Sequence, residues 1–156
     1  KVLRLPSLVK RGDRLPVLQV RGLNTNTVGA VRKAMSIIEN RKIEHKMKGL
    51  SYYRPWIILL TDGNPNPCSQ SELQSLLYDV SHSISGNKFM LTAIGIGNSV
   101  DKEFLSAISN NNYHRIGQAN ISTFFQALSA SMTMKYGNDP QNNLSIELDN
   151  ELQDDI

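Results

Sequence analysis

The order of apolar and amphipathic segments along this chain predicts an α/β fold with a mainly parallel sheet. Runs that are apolar at almost every position, at 56–61 and 88–97, alternate with segments that have helical spacing. Such continuous runs are typical of strands that helices cover on both faces. The 156 residues, 40% of them apolar and 20% charged, suit one globular domain.

The first part of the chain predicts short extended pieces followed by a long helix. Residues 1–20 predict one or two short strands, which Pro6 and Pro16 interrupt. A helix is predicted from Thr27 to about Lys48, and Gly49 ends it. Its expected buried face consists of Val28, Val31, Met35 and Ile38. Four residues at its start have side chains suited to capping: Asn24, Thr25, Asn26 and Thr27.

The later elements continue the same alternation. They are a strand at 56–61, a helix at 69–85, a strand at 88–97, a helix at 101–109, a strand at 113–116 and a helix at 122–134. The helix at 69–85 is expected to bury Leu73, Leu76, Leu77, Val80 and Ile84. We expect one domain over 1–136 and a polar, acidic tail over 137–156.

Asp62 is the residue that says most about function. It follows the apolar strand 56–61 directly, and Gly63 and Asn64 continue into a loop rich in turn-forming residues. Open α/β sheets bind their ligands beyond the carboxyl ends of their strands. Asp62 is therefore a carboxylate at an expected binding edge.

Charge is divided unevenly along the chain. Residues 1–60 contain 13 Lys and Arg against 3 Asp and Glu, whereas residues 61–156 contain 4 against 11. Basic residues of the first helix alternate with acidic ones, which favours a solvated helix face over a nucleic-acid surface. They are Arg41, Lys42, Lys46 and Lys48, beside Glu39 and Glu44. No RNA-binding motif or metal-finger spacing accompanies them, so we expect no nucleic-acid partner.

Cysteine and hydropathy patterns indicate the compartment. A single cysteine, Cys68, excludes an internal disulfide and fits a reducing environment. No segment reaches the roughly 18 apolar residues of a membrane span, and the first residues lack the apolar region of a secretory signal. We expect a cytoplasmic protein that does not bind a membrane.

Four segments together resemble the von Willebrand factor A domain, in particular its bacterial, tellurium-resistance-associated (TerY-type) branch. They are Thr25-Asn-Thr-Val-Gly-Ala-Val31, Arg54-Pro-Trp-Ile-Ile-Leu-Leu-Thr-Asp-Gly-Asn-Pro65, Phe89-Met-Leu-Thr-Ala-Ile-Gly-Ile-Gly97 and Phe124-Phe-Gln-Ala-Leu-Ser-Ala-Ser-Met132. The resemblance covers about residues 20–135, and the Asp-Gly after the central strand is fairly specific. It implies a three-layer, Rossmann-like fold and a module that binds another protein.

The resemblance also implies a divalent metal, usually Mg²⁺, at the top of the sheet. By correspondence with the family's motif, the metal ligands would be Thr25 and Asp62. The partner-binding surface around them would include Asn24, Asn26, Gly63 and Asn64. Mg²⁺ takes oxygen ligands and keeps several waters. One hydroxyl and one carboxylate therefore leave room for an acidic residue of a partner protein to complete the shell.

One part of the family's pattern is missing from this chain. No Asp-x-Ser-x-Ser loop precedes Thr25. We expect the first strand, its helix and this loop to belong to residues absent from the chain, because a sheet without its central strand leaves costly unpaired edges. The alternative is a protein that has lost metal binding. A literal match, Asp79-Val-Ser-His-Ser83, lies within the predicted helix 69–85, which favours helix over a circularly permuted loop.

Other short motifs favour structural roles. Gly95-Ile-Gly97 lacks the third glycine of the dinucleotide fingerprint, so close packing of a strand and turn is the better interpretation. The histidines show no metal-ligand spacing; they are His45, His82 and His114.

Three functions are consistent with the sequence. The first is a non-enzymatic interaction module with a Mg²⁺-dependent adhesion surface, belonging by resemblance to a stress or tellurium-resistance system. The second is a metal-free assembly subunit. The third is a Mg²⁺-dependent hydrolase or phosphotransferase, which is less favoured because no phosphate-cradling loop, serine elbow or Asp-x-Asp after a strand is found.

Overall fold

A computed structural model describes residues 12–14, 26–61, 68–97, 100–117 and 121–136. Within these ranges helices and strands alternate, and their bounds lie within two residues of the predicted ones. They are α1 (Thr27–Met47), β1 (Trp56–Thr61), α2 (Gln70–Ser85), β2 (Met90–Ile96), α3 (Lys102–Ile108), β3 (Tyr113–Ile116) and α4 (Ile121–Tyr136). Of residues 1–20, where short strands are predicted, the structure describes 12–14, which include a turn at Gly12, and the tail predicted at 137–156 lies outside the described residues.

The sheet is parallel throughout its described part. Its strand order is β1-β2-β3, with Ile58 opposite Thr92 and Ile94 opposite His114. The predicted α/β fold with a parallel, helix-flanked sheet is confirmed. Because all three strands point the same way, their carboxyl ends meet at one edge of the sheet.

Helices cover the sheet on both faces and enclose two apolar clusters. One cluster joins α1, α2 and α3 to β1 and β2, and its members include Val31, Ile57, Leu76, Val80, Leu91, Phe104 and Ile108. The other joins α4 to β2 and β3 through Ile94, Ile116, Phe124 and Leu128. The predicted buried faces of α1 and α2 are confirmed, since their apolar residues belong to or pack against the first cluster.

The expectation that β1 is fully covered on both faces is wrong for one face. Ile57 and Thr61 are buried, but Leu60 on the opposite side remains 38% exposed. Trp56 and Ile58 on the same face pack against the cluster that contains Phe124 and Leu128 of α4, so the exposure is confined to the carboxyl end of the strand.

Local hydrogen bonds define both the start and the end of α1. Asn26 is the N-cap, and its side chain accepts a hydrogen bond from the Gly29 N–H at 2.7 Å. At the other end Gly49 has a φ of +64°. The Gly49 N–H donates to the Lys46 carbonyl and the Leu50 N–H to the His45 carbonyl, which is a Schellman motif. Glycine is favoured there because it adopts positive φ without strain.

A membrane-crossing helix is not found in the described part of the chain, because none of its helices is both long and apolar enough.

Candidate functional site

The candidate site lies where the starts of α1 and α2 meet, at the edge of the sheet formed by the strand carboxyl ends. The two helices run side by side in the same direction. Arg32 in the second turn of α1 donates to Ser75 and to Asp79 of α2, each at 3.0 Å. Since α2 follows β1 after a short loop, its start lies near the carboxyl end of β1.

A pocket of about 370 Å³ opens between the two helix starts. Its walls come from the first turns of both helices and from the residues just before them. The lining residues are Asn26, Thr27, Val28, Gly29, Arg32, Cys68 and Glu72.

The wall on the α2 side is fixed by a capping box. Ser69 accepts a hydrogen bond from the Glu72 N–H at 3.2 Å, and its own N–H donates to the Glu72 carboxylate at 3.1 Å. The Ser69 hydroxyl also donates to this carboxylate at 2.7 Å. These bonds from Ser69, side chain first and then backbone, lower the pKa of Glu72. Glu72 therefore stays ionised beside the pocket.

One predicted site residue is described by the structure. Asn26 lines the pocket and caps α1. The others lie outside the described residues: Asn24, Thr25, Asp62, Gly63 and Asn64. Their described neighbours in the chain are Thr27, which is 3% exposed, and Thr61, which is 8% exposed.

The Asp79-Val-Ser-His-Ser83 match is a helical segment of α2, as predicted. Asp79 forms an ion pair with Arg32 at 3.0 Å. Ser81 is exposed whereas Ser83 is buried. The three oxygen-bearing side chains therefore do not form a common set of metal ligands.

Gly95 confirms the packing interpretation of the Gly-x-Gly motif. A Cβ atom at this position would lie 2.9 Å from Val100 Cγ2 and 3.0 Å from the Tyr113 hydroxyl. Burial raises the pKa of the Tyr113 phenol, an effect that the nearby Arg115 partly offsets. The end of β2 is therefore closed by side chains and leaves no room for a phosphate at Gly95.

Histidine, cysteine and carboxylate side chains do not cluster in the described ranges. No group of three or more that could hold a metal ion is found among those residues. Cys68 is a partly buried free thiol at the pocket wall.

Sequence reasoning missed two features of this region. The role of Arg32 in joining the helices has no local signal, because it depends on how α1 packs against α2. The capping box of Ser69 and Glu72 does have a local sequence signal, because serine followed three residues later by glutamate is its signature.

A scan of the chain against protein-family models and a search of curated proteins both return no match. The resemblance to the von Willebrand factor A domain therefore rests on the motif residues alone.

Proposed function

We propose that this chain is a non-enzymatic protein-interaction module that binds a protein partner at the carboxyl edge of its sheet. The observation that supports the proposal is the meeting of the α1 and α2 starts at one pocket, on the side where β1 ends. Asp62 is bonded to Thr61, the last residue of β1, and Thr25 is bonded to Asn26, the cap of α1. The proposal places both ligand candidates at this edge, because each is next in sequence to one of these described residues.

The donor chemistry of the two candidates fits Mg²⁺. A carboxylate from Asp62 and a hydroxyl from Thr25 are hard oxygen ligands. When bound, Mg²⁺ would supply a positive charge that attracts an acidic side chain of the partner. The chain's own residues would hold the surrounding surface: Asn26 fixes the start of α1, and Asn24, Gly63 and Asn64 would contact the partner. Two protein ligands alone predict weak metal binding.

The cellular setting of the proposal comes from the resemblance. By that resemblance, we propose that the chain belongs to a bacterial cytoplasmic protein that acts in a stress or tellurium-resistance system. None of the experiments below depends on it.

A Mg²⁺ titration followed by thermal unfolding tests the metal part of the proposal. A metal that binds only the folded state stabilises it by about 2.7 kcal/mol at one hundred times Kd. We expect Mg²⁺ to raise the Tm of the parent chain and not that of Asp62→Asn. Asp79→Asn is the matched control, because it removes a carboxylate from the surface of α2, and its Mg²⁺ response should equal that of the parent.

Three results separate the alternatives. No shift in Tm at millimolar Mg²⁺, or an equal shift in Asp62→Asn, would contradict the metal site. Partner capture that survives both EDTA and Asp62→Asn would favour the metal-free assembly subunit. Phosphoester turnover that Asp62→Ala abolishes would favour the enzyme.

A further inference from the structure

A second pocket lies at the amino edge of the sheet, opposite the pocket between the starts of α1 and α2. Its walls come from the residues before β1, the connection from α2 to β2 and the connection from α3 to β3. Because the strands are parallel, their amino ends meet at this edge. The volume of about 380 Å³ is sufficient for a small molecule. We name it the amino-edge pocket, and its lining residues include Arg54, Ile84, Asn87, Leu91, Asn110 and Asn112.

Arg54 places a partly buried cation in the wall of the amino-edge pocket. Its Nη2 group donates to the Ile84 carbonyl at the end of α2 and to the Phe89 carbonyl just before β2, each at 3.0 Å. These two bonds fix the guanidinium at the junction of α2 and β2. Burial lowers the pKa of Arg54, because its charge is partly removed from water. Its attraction to an anion is therefore stronger than that of an exposed arginine.

Acidic side chains are absent from the described lining of the pocket, which contains no Asp, Glu or Lys. The sequence around the lining residues has the same character. Residues 45–61, 80–100 and 104–136 contain no Asp or Glu. No carboxylate in the described lining would therefore repel an anion that approaches Arg54.

Asparagine amides line the pocket beside the guanidinium. Asn112 is held in place, because its Nδ2 donates to Thr92 Oγ1 at 2.7 Å and to the Leu91 carbonyl at 3.3 Å. Asn87 and Asn110 are exposed and have φ values of +54° and +53°. An amide group both donates and accepts hydrogen bonds. These two side chains can therefore bind the hydroxyl groups of a ligand as well as its anionic oxygens.

The pocket favours an anion with a single charge. The ends of α2 and α3 lie at the pocket through Ser85 and Ser109, and helix C-termini carry a partial negative charge. One guanidinium offsets one carboxylate. The second charge of a phosphate dianion would meet the helix ends without a second cation in the described lining.

We propose that the amino-edge pocket binds a small hydroxylated monocarboxylic acid. The guanidinium of Arg54 holds the carboxylate, and the amides of Asn87 and Asn110 bind the hydroxyl groups. The inference is independent of the proposed function, which concerns the opposite edge of the sheet.

An NMR titration of the full chain with sodium gluconate tests the proposal, because gluconate has one carboxylate on a polyhydroxyl chain. We expect saturable shifts of the amide signals of residues 84–91 and 109–112, with a Kd in the millimolar range. The signals of residues 26–32, at the other pocket, should stay unchanged. No shift, shifts that do not saturate, or shifts spread over the whole chain would overturn the proposal.

Two further probes test the chemical class of the ligand at the same ionic strength. Sorbitol is the matched neutral polyol, and without a carboxylate it should bind at least about tenfold more weakly than gluconate. Inorganic phosphate should also bind more weakly than gluconate. Sorbitol binding as tight as gluconate binding would show that the carboxylate is not recognised, and tighter phosphate binding would show a phosphate site. Either result would make the proposal wrong.

Glycine substitutions separate binding from folding. Asn87→Gly and Asn110→Gly remove an amide and keep the backbone, because glycine adopts positive φ without strain. Each should weaken gluconate binding by about twofold to tenfold. Asn111→Gly is the matched control, since Asn111 has a φ of +66° and is not among the residues that line the pocket. An unchanged Kd in both Asn87→Gly and Asn110→Gly, or an equal loss in Asn111→Gly, would contradict the proposal.

Arg54→Gln should abolish saturable gluconate binding. Arg41→Gln removes the same charge from an exposed position of α1 and should leave the Kd unchanged. Circular dichroism checks that Arg54→Gln folds, because Arg54 also binds two backbone carbonyls. If this variant does not fold, the glycine variants decide. Gluconate binding that persists in folded Arg54→Gln would overturn the proposal.

Discussion

The guanidinium of Arg32 on α1 donates to the carboxylate of Asp79 on α2 across 3.0 Å. The same guanidinium donates to Ser75 one turn earlier on α2, also at 3.0 Å. These bonds hold the first halves of the two helices together, beside the pocket at their starts. They also give Asp79 a structural role as the partner of Arg32. This role accounts for an aspartate at the start of the segment 79–83, which matches the family's metal-binding loop in sequence only.

The Arg32–Asp79 pair should contribute little to stability. Both side chains are about 40% exposed, and exposed pairs typically contribute about 0.2–1 kcal/mol. A double-mutant cycle with Arg32→Met and Asp79→Asn, followed by urea unfolding, should give a coupling energy in this range. A coupling of several kcal/mol would show that the pair is more buried than described.

Thr92 should be more sensitive to substitution than Trp56, although it is the smaller residue. Thr92 is 1% exposed, and its hydroxyl accepts from Trp56 Nε1 at 2.9 Å and from Asn112 Nδ2 at 2.7 Å. Thr92→Val removes the acceptor of both bonds and leaves Asn112 Nδ2 only its longer bond to the Leu91 carbonyl, at 3.3 Å, so it should cost about 1–3 kcal/mol.

Trp56→Phe is the comparison for this prediction. It removes one donor while Asn112 still satisfies the Thr92 hydroxyl, so the loss of the hydrogen bond should cost about 1 kcal/mol. Free energies of unfolding from denaturant titrations measure both values. Equal costs for the two substitutions would contradict the shared role of the Thr92 hydroxyl.

Gly95→Ala should destabilise the end of β2 by overpacking. The added methyl group would lie 2.9 Å from Val100 Cγ2 and 3.0 Å from the Tyr113 hydroxyl, and overpacking typically costs about 1–3 kcal/mol. Val100→Ala makes room on one side, so the double variant should be more stable than additivity predicts. Thermal unfolding of the two single variants and the double variant checks this, and strict additivity would count against it.

His114 should make stability depend on pH in the mildly acidic range. Burial lowers its pKa in the folded state below the ordinary value of about 6.5. The unfolded chain therefore takes up the proton first as the pH falls. The free energy of unfolding that depends on neutral His114 is therefore fully present above about pH 6.5, and it falls as the pH decreases below that value.

His114→Gln should flatten this part of the pH profile. Urea unfolding at several pH values between about 7.5 and 5 should give a smaller slope of unfolding free energy for the variant than for the parent. Parallel profiles would mean that the imidazole does not titrate differently in the two states.

The sequence predicts the helices and strands well because each has a regular apolar period and a local end signal. Gly49 and Ser69 are examples: the φ of +64° at Gly49 and the capping bonds of Ser69 are local events. The choice of Asn26 among four capping candidates depends on the path of the chain into α1, which no pattern encodes. The exposure of Leu60 and the partners of Arg32 depend on how separate elements pack. The same applies to the pocket, whose walls come from residues about forty positions apart.

The order β1-β2-β3 in the sheet is also the order of the strands along the chain. Each strand pairing in the described part of the chain therefore forms between neighbours in sequence, so β1, β2 and β3 pair with one another without a distant segment. Loops of this length close at modest entropic cost. We expect residues 56–117 to be the nucleus of folding, with α1 and α4 added later from opposite sides. Hydrogen exchange in the native state should then find the slowest amides in β2 and earlier opening in α1 and α4.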